Sequence, residues 1–362
     1  MAQPPRTEHQ QHPERNQHPE RNQHPERNQH PERNQDPERN QHSEHDQHPE
    51  HSNDRTTLPD LRDGQPEGRP LRLVAVHAHP DDETLATGLS LAHHVQAGDE
   101  VHVVTATLGE EGEVITPEVA HLEGTEALGP YRHGELARAT AALGVRHHYL
   151  GGDPPRWRDS GMAGSAAAAH PRAFAQADVQ EAGEVLAGLL EQIEPDVVLT
   201  YDPWGGYAHP DHIQTHRVTV AAVERLWARQ TAAGGAAEHD RPALYVALVP
   251  RSWAEEDRAW LAEHVPPGAT SPAGGEARVP GPQAPFPPGV VPDLLCTHTV
   301  QDPAALPRQV AALREHPTQA TVFDGFYTLS NDIAARLPGR EAFARWPQAR
   351  PALADVQGVP EP

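Results

Sequence analysis

Residues 71–88 read L-R-L-V-A-V-H-A-H-P-D-D-E-T-L-A-T-G. The stretch begins with a short apolar, β-branched run, which predicts a strand buried on both faces of a parallel sheet. The polar segment H-P-D-D-E interrupts this run at residues 79–83, and Leu85, Leu89 and Ala92 then recur at helical spacing. The polar segment is therefore predicted at the carboxyl end of a strand, just before a helix. Open α/β sheets bind their ligands at that position.

The H-P-D-D-E segment has the residue types of a metal hydrolase. His79 and Asp82 are three residues apart, so both can point the same way from the first helical turn. A nitrogen donor with an oxygen donor suits zinc or ferrous iron. Asp81 lies off that face and is placed to take a proton from a water that the metal activates. For this segment alone, a helix cap by Asp81 or Asp82 with Pro80 in the first turn is the alternative.

A second polar cluster follows another predicted strand. Residues 201–216 read Y-D-P-W-G-G-Y-A-H-P-D-H-I-Q-T-H, with His209 and His212 again three residues apart. In a doubly wound sheet of order 3-2-1-4-5 the first and fourth strands are neighbours, so the two clusters meet at the switch point. One histidine can then be the third metal ligand while the other faces the substrate, and the glycines before Tyr207 allow that side chain to swing over the site. An isolated H-x-x-H pair would be explained by capping or packing, but the two clusters together predict a metal site.

Strands and helices alternate along the rest of the chain. This pattern predicts an α/β fold, a Rossmann-like, doubly wound, mostly parallel sheet with helices on both faces. The later predicted strands are residues 101–107, 147–150, 196–201 and 243–249, and the predicted helices are 134–143, 179–193 and 212–229. One folded domain that carries the metal site is expected over residues 70–350, with a Pro- and Gly-rich excursion at 266–292 and a C-terminal tail at 351–362.

Residues 1–69 differ from the rest in composition. The hexapeptide Q-H-P-E-R-N occurs in four identical copies over residues 11–34, and three degraded copies follow. A six-residue period matches neither helix nor strand packing, and the segment contains almost nothing apolar, so a disordered tail is predicted. Its histidines could bind a metal weakly, but a solvated spacer is the favoured interpretation.

Composition limits the possible functions. The 362 residues carry a formal net charge of −23, which argues against a nucleic-acid partner. The sequence contains no lysine, and this excludes Schiff-base and lysine-nucleophile mechanisms. Cys296 is the single cysteine, so an intramolecular disulfide and a cysteine-cluster metal site are excluded. With no apolar leader after Met1 and no apolar run of membrane-spanning length, a cytoplasmic protein without membrane contact is expected.

These motifs resemble those of the PIG-L/LmbE-like de-N-acetylases. H-A-H-P-D-D-E and A-H-P-D-H carry the resemblance, which spans residues 71–227. Three further stretches are similar to the branch of the family that removes acetate from N-acetylglucosaminyl-inositol in mycothiol biosynthesis. They are L-G-E-E-G-E-V at 108–114, Y-R-H-G-E-L at 131–136 and P-R-W-R-D-S-G-M-A-G at 155–164. The resemblance therefore implies a small amino-sugar substrate.

The resemblance also implies roles for individual residues. His79, Asp82 and His212 would hold one Zn²⁺ or Fe²⁺ per subunit, and Asp81 would be the general base. His209 would stabilise the oxyanion and protonate the leaving amine, and Tyr207 would add a mobile donor to the oxyanion. Asp211 would hold the His209 imidazolium. The residues implied in binding the sugar and inositol hydroxyls are Arg132 and Asp159, with Glu113 and Met162 nearby.

Three other functions are weighed against this one. A mycothiol S-conjugate amidase would share the chemistry, but such relatives tend to carry a lysine just after H-P-D-D-E, where this chain has Leu85, Ala86 and Thr87. A metal-dependent phosphoesterase would prefer two metals and more carboxylate ligands. A histidine-rich metal-binding protein without activity would be expected to lack the base or the acid, and both Asp81 and His209 are present. The oligomeric state is not predicted.

Overall fold

The computed structural model describes residues 58–65, 67–232 and 241–356. The hexapeptide repeats lie outside these residues. No helix in the described part of the chain is both long and apolar enough to cross a membrane.

A mostly parallel sheet organises the described residues. Its order is β3-β2-β1-β4-β5-β11-β7, with the first five strands parallel and β11 antiparallel to both of its neighbours. The strands are β1 Arg72–His77, β2 Glu100–Thr105, β3 Arg146–Tyr149, β4 Val197–Tyr201, β5 Ala243–Pro250, β6 Val290–Val291, β7 His298–Gln301, β8 Thr321–Val322, β9 Phe326–Thr328, β10 Ala335–Arg336 and β11 Arg340–Trp346. The predicted α/β fold and its 3-2-1-4-5 order are confirmed.

Helices cover both faces of this sheet. They are α1 Asp82–Ala86, α2 Gly88–Gln96, α3 Leu128–Leu143, α4 Val179–Ile193, α5 Gly205–Ala208, α6 Pro210–Ala232, α7 Arg251–His264, α8 Leu306–Leu313 and α9 Arg350–Ala354. Short 3₁₀ turns occupy Pro117–Leu122, Ala166–Ala169, Phe174–Gln176 and Asp293–Leu295. The bounds of α4 match the prediction because local signals set both ends. The Asp178 carboxylate accepts the Glu181 N–H at 2.9 Å, and the helix ends where Glu194 adopts a φ of 52° before Pro195.

Successive side chains of β1 point to opposite faces of the sheet, and the core therefore has two layers. Val74 and Val76 pack with α4 and α6 on one face, whereas Leu73 and Ala75 pack with α2, α3 and α8 on the other. A strand buried on both faces needs the continuous apolar run that the sequence shows. This packing fixes the strand whose carboxyl end carries the H-P-D-D-E segment.

The predicted tail boundary at residue 69 is wrong. Leu61 is fully buried in the layer beside α2 and α3, and the Pro59 carbonyl accepts the Thr299 N–H at 2.9 Å. Arg62 forms an ion pair with Asp99. Two leucines, Leu58 and Leu61, among polar residues are too few to show a periodicity, and the pattern therefore did not indicate that residues 58–69 join the domain.

Other predicted boundaries also change. Helix α3 begins at Leu128, six residues before the predicted start, because the glycine and proline of its first turn looked like a loop. The excursion at 266–292 has little regular structure, although it ends in β6, which pairs with β5. The expected C-terminal tail from residue 351 is wrong at its start, since α9 inserts Leu353 into the core.

Candidate active site

Two turns at the carboxyl edge of the sheet bring the predicted site residues together. The β1 turn comprises residues 78–85 and the β4 turn comprises residues 202–209. Strands β1 and β4 are hydrogen-bonded neighbours, with Ala75 opposite Leu199. The β1 turn carries His79 and Asp82, and the first turn of α6 carries His212 just after the β4 turn.

Three side chains, those of His79, Asp82 and His212, bring their donor atoms together in a triangle that uses both Asp82 oxygens. The His79 Nδ1 to Asp82 Oδ2 distance is 3.2 Å, and His212 Nε2 lies 3.3 Å from both Asp82 Oδ1 and His79 Nδ1. Tetrahedral coordination with bonds of about 2.0–2.1 Å spaces donors by roughly 3.3 Å, so the triangle has the size of a zinc or iron site. The alternative of a simple helix cap is not supported for Asp81, whose side chain makes no capping hydrogen bond to α1.

Hydrogen bonds behind the triangle fix its histidines. His212 Nδ1 lies 3.2 Å from the Gly205 carbonyl, an acceptor, which places the ring proton on Nδ1 and leaves the Nε2 lone pair free. His79 Nε2 contacts the Asp211 carboxylate at 3.2 Å, so its Nδ1 is likewise the free donor atom. A Cβ on Gly205 would come within 2.7 Å of the His212 Cβ, and therefore only glycine allows this close support.

The site is rich in buried negative charge. Burial acts to lower the pKa of His79, but its carboxylate neighbours Asp159, Asp211 and Asp82 raise that pKa well above the usual range. Asp211 Oδ1 is buried and has no hydrogen-bond partner among the described residues. Such a cluster favours a cation. His79 also belongs to two other groups of three side chains whose donor atoms all lie within 4.8 Å of one another. One group adds His209 and His212, and the other adds Asp159 and Asp211.

Asp81 stands beside the triangle in a constrained conformation. Its backbone φ is 114°, and its N–H donates to the Glu83 carboxylate at 2.9 Å. Arg132 Nη2 lies 3.5 Å from the Asp81 carboxylate, which is 13% exposed. Burial raises the pKa of Asp81 to about 7, although Arg132 opposes the shift. A carboxylate with that pKa is suited to accept and return a proton near neutral pH.

The chain is similar to known proteins over most of its length. Residues 74–223 match the profile of the PIG-L family, described as GlcNAc-PI de-N-acetylase. A relative from Acidothermus cellulolyticus is 45% identical over 274 residues, which cover 75% of this chain and 87% of the relative. This chain belongs to the PIG-L family.

Two of the relatives carry the same name. The Acidothermus protein is called 1D-myo-inositol 2-acetamido-2-deoxy-alpha-D-glucopyranoside deacetylase. A protein of the same name from Thermobifida fusca is 42% identical, with 75% of this chain and 91% of the relative covered. Among solved structures, the A40926 pseudoaglycone deacetylase is 21% identical, with a TM-score of 0.43 over 73% of this chain and 87% of that chain.

Two residues of the PIG-L motifs occupy unexpected positions. Arg132, expected to bind substrate, is only 2% exposed, and its guanidinium donates to the carbonyls of Gly109, at 2.6 Å, and Pro80. It therefore braces the β1 turn. Asp159 is also buried, and its carboxylate lies 3.4 Å from His79 Nε2 while accepting the Gly161 N–H at 2.8 Å.

Asp211 also differs from the expectation. Its carboxylate accepts the Ser160 N–H at 2.8 Å and contacts His79 rather than holding an imidazolium at His209. Only the Asp211 backbone N–H reaches His209, at 3.2 Å from Nδ1. Because Nδ1 accepts this bond, the proton of neutral His209 lies on Nε2. Burial, together with His79 and His212, lowers the pKa of His209 to about 3.

The remaining predicted residues lie near the surface. Tyr207 is 53% exposed, and its ring centroid is 5.1 Å from that of His212. Met162 is 54% exposed and Glu113 is also exposed. The Glu113 carbonyl accepts a hydrogen bond from Gln319 at 3.1 Å. These three residues are accessible to a substrate in a way that Arg132 is not.

Sequence reasoning missed one supporting residue that its own motif contained. The Tyr201 ring stacks on His212 with a centroid distance of 4.2 Å and an interplanar angle of 14°. Its hydroxyl accepts the Ala78 N–H at 3.0 Å. Tyr201 thus links both turns. Its place as the last residue of a buried strand, directly before the polar cluster, was the available signal.

Proposed function

We propose that this protein hydrolyses the N-acetyl group of N-acetylglucosaminyl-inositol, releasing acetate and the free amine in mycothiol biosynthesis. The observation that carries the proposal is the triangle of His79, Asp82 and His212 with Asp81 beside it. The names of relatives more than 40% identical to this chain support the substrate. The single cysteine is consistent with a cytoplasmic location.

The triangle fits a divalent metal in spacing, donor type and charge. His79, Asp82 and His212 would hold one Zn²⁺ or Fe²⁺ per subunit, and the buried carboxylates of Asp159 and Asp211 would offset its charge. Such an ion supplies Lewis acidity, which polarises a carbonyl and lowers the pKa of a water. The mixed nitrogen and oxygen donors suit either metal.

Asp81 acts as the general base in the proposed reaction. It takes a proton from the attacking water, whose oxygen forms a bond to the acetamide carbon. Burial raises the pKa of this carboxylate and a bound cation would lower it, so the group can accept the proton and then release it. Arg132 and the Asp81 N–H bond to Glu83 keep the carboxylate in place during both transfers.

His209 and Tyr207 stabilise the oxyanion that follows the attack. His209 donates through Nε2–H, because its Nδ1 accepts the Asp211 N–H. With a pKa of about 3, His209 is neutral near pH 7 and has no extra proton for the leaving nitrogen. We therefore assign protonation of the amine to Asp81 in place of His209. The C–N bond breaks as Asp81 returns the proton, and acetate and amine leave.

The accessible residues around the turns bind the sugar and inositol in this proposal. Tyr207, Met162 and Glu113 present a hydroxyl, an apolar surface and a carboxylate to the substrate side. Carboxylate and hydroxyl groups can pair with adjacent hydroxyls of a polyol. Arg132 and Asp159 contribute indirectly, through the β1 turn and His79.

A direct assay tests the proposal. Purified protein, stripped of metal and reloaded with Zn²⁺ or Fe²⁺, is incubated with N-acetylglucosaminyl-inositol and, separately, with a mycothiol S-conjugate. Acetate release from the first substrate, dependent on one metal per chain, is the expected result. Faster cleavage of the S-conjugate would instead assign the amidase function, and equal rates in the stripped and reloaded protein would remove the metal from the mechanism.

A further inference from the structure

Asp81 has a backbone conformation that its neighbours must impose. Its φ of 114° lies in the region that residues with a Cβ rarely adopt. Such conformations persist where surrounding contacts over-determine them, and they cluster at active sites. The groups that contact the Asp81 backbone therefore decide where its carboxylate points.

A buried ion pair makes one of those contacts. The Asp81 N–H donates to Glu83 Oε2 at 2.9 Å. Glu83 Oε1 receives the Nε2–H of His316 at 2.8 Å and the Thr84 hydroxyl at 2.6 Å. The side chains of Glu83 and His316 are both 0% exposed. Both carboxylate oxygens of Glu83 are thus used, and neither bond competes with water.

His316 comes from a distant part of the chain, in a turn that is tied to another helix. It lies just after α8, in a turn that α3 fixes through Glu135, whose carboxylate accepts the Thr318 N–H at 3.1 Å and its hydroxyl at 2.6 Å. The backbone that carries His316 is therefore tied to α3, and the ring reaches Glu83 from this tied turn, while its Nδ1 has no hydrogen-bond partner among the described residues. The His316 donor restrains the Glu83 carboxylate, and the bond from the Asp81 N–H to that carboxylate then resists rotation about the Asp81 φ angle.

We propose that the Glu83–His316 pair is a positioning device that keeps the Asp81 carboxylate directed at the reacting water. The inference rests on the proposed function for the role of Asp81, but its structural part concerns the backbone of the β1 turn alone. His316 and Glu83 touch neither substrate nor metal ligand side chains in this scheme. They act through Asp81.

The chain offers a matched control for the loss of a buried histidine. His94 Nδ1 lies 2.7 Å from Asp99, and both side chains are 1% exposed. His94 lies in the last turn of α2 and Asp99 directly before β2, at the opposite edge of the sheet. Its loss should affect stability as the loss of His316 does, without a link to Asp81.

The experiment compares four proteins, the wild type, His316→Leu, His316→Gln and His94→Leu. Misplacement of a catalytic group by about 1 Å costs roughly 10²-fold in rate, so His316→Leu is expected to lower kcat by about that factor. KM and bound metal should stay within twofold of the wild type. His316→Gln, which keeps an N–H donor for Glu83, should recover most of kcat, and His94→Leu should lower the melting temperature but not kcat.

Crystal structures of the His316 variants supply a readout independent of activity. In His316→Leu the Asp81 φ is expected to leave the left-handed region, and in His316→Gln it should remain near its wild-type value. An unchanged Asp81 backbone in His316→Leu, whether or not kcat falls, would overturn the positioning role. If His316→Leu does not fold, His316→Asn, whose amide is too short to reach Glu83, takes its place. An inactive wild type would overturn the proposed function, while the backbone comparison would still decide the positioning role.

Discussion

The β1 turn and the β4 turn lie side by side at the same sheet edge, yet they are held differently. The β1 turn is almost wholly buried, with Asp81 fixed by Arg132 and by Glu83. The β4 turn has Gly206 at a φ of 73° and leaves Tyr207 more than half exposed. In the proposed reaction the buried β1 turn supplies metal ligands and the base, while the more exposed β4 turn presents groups to the substrate.

The largest expected effect tests whether both turns share one metal. Replacing Asp82 of the β1 turn or His212 beyond the β4 turn by Ala should abolish bound metal and activity together, because two remaining donors do not make a stable site. Metal analysis of the purified variants measures this, with His209→Ala as the control expected to retain metal. Stoichiometric zinc or iron in His212→Ala would mean that His212 is not a metal ligand and that the triangle is not the metal site.

A smaller effect is expected from removing the base while leaving the metal. Asp81→Asn should keep metal content and lower kcat by about 10²-fold or more. In the wild type the carboxylate must be ionised, so activity should fall as the pH drops through the pKa of Asp81, which a bound cation brings below its value of about 7. This acidic limb should disappear in Asp81→Asn and remain in His209→Ala. An acidic limb that survives in Asp81→Asn would assign the titration to another group.

A substitution in the more exposed β4 turn should lower activity less than one in the β1 turn. Tyr207→Phe removes one oxyanion donor, which in a fixed site costs about 10²–10³-fold, and the exposed position of Tyr207 places it at the lower end of that range. Metal content and melting temperature should not change. Steady-state kinetics and metal analysis on one preparation check this, and a loss of metal in Tyr207→Phe would show that the β4 turn also holds the metal site together.

A buried histidine lies beside each turn, His77 beside the β1 turn and His216 beside the β4 turn. The smallest predicted effect is the change in stability when these histidines are protonated. Burial lowers the pKa of both His77 and His216 to about 4 from the usual 6.5. The unfolded chain therefore binds protons first as the pH falls, and stability should decrease between about pH 6.5 and 4 by roughly 3 kcal/mol per histidine.

His216→Gln isolates one of these two contributions. His216 Nδ1 lies 2.8 Å from the Tyr201 carbonyl, and the amide of glutamine can replace the donor without titrating. Denaturant unfolding from pH 7 to 4 should show a shallower loss of stability in His216→Gln than in the wild type. Parallel curves for the two proteins would mean that His216 is protonated in the folded state.

The sequence predicted what short-range patterns determine. Local periodicity predicted where the strands end, and the sequence itself shows the three-residue spacings of His79 with Asp82 and of His209 with His212. The strand order then brings the two motifs together. Side-chain direction is a tertiary property, and the sequence therefore could not show that Arg132 turns inward. His316 was missed for a related reason, since it lies 233 residues from Glu83.

The C-terminal strand β11 has a consequence for how the chain reaches this structure. It lies between β5 and β7, so β7 is made before the strand that joins it to the sheet. During synthesis one edge of β5 stays open until residues 340–346 emerge, and a chain that stops before them would lose two strands at once. A nascent chain would thus carry His79, Asp82 and His212 long before its sheet is closed, and its unpaired strand edge would be exposed to association with other chains late in translation.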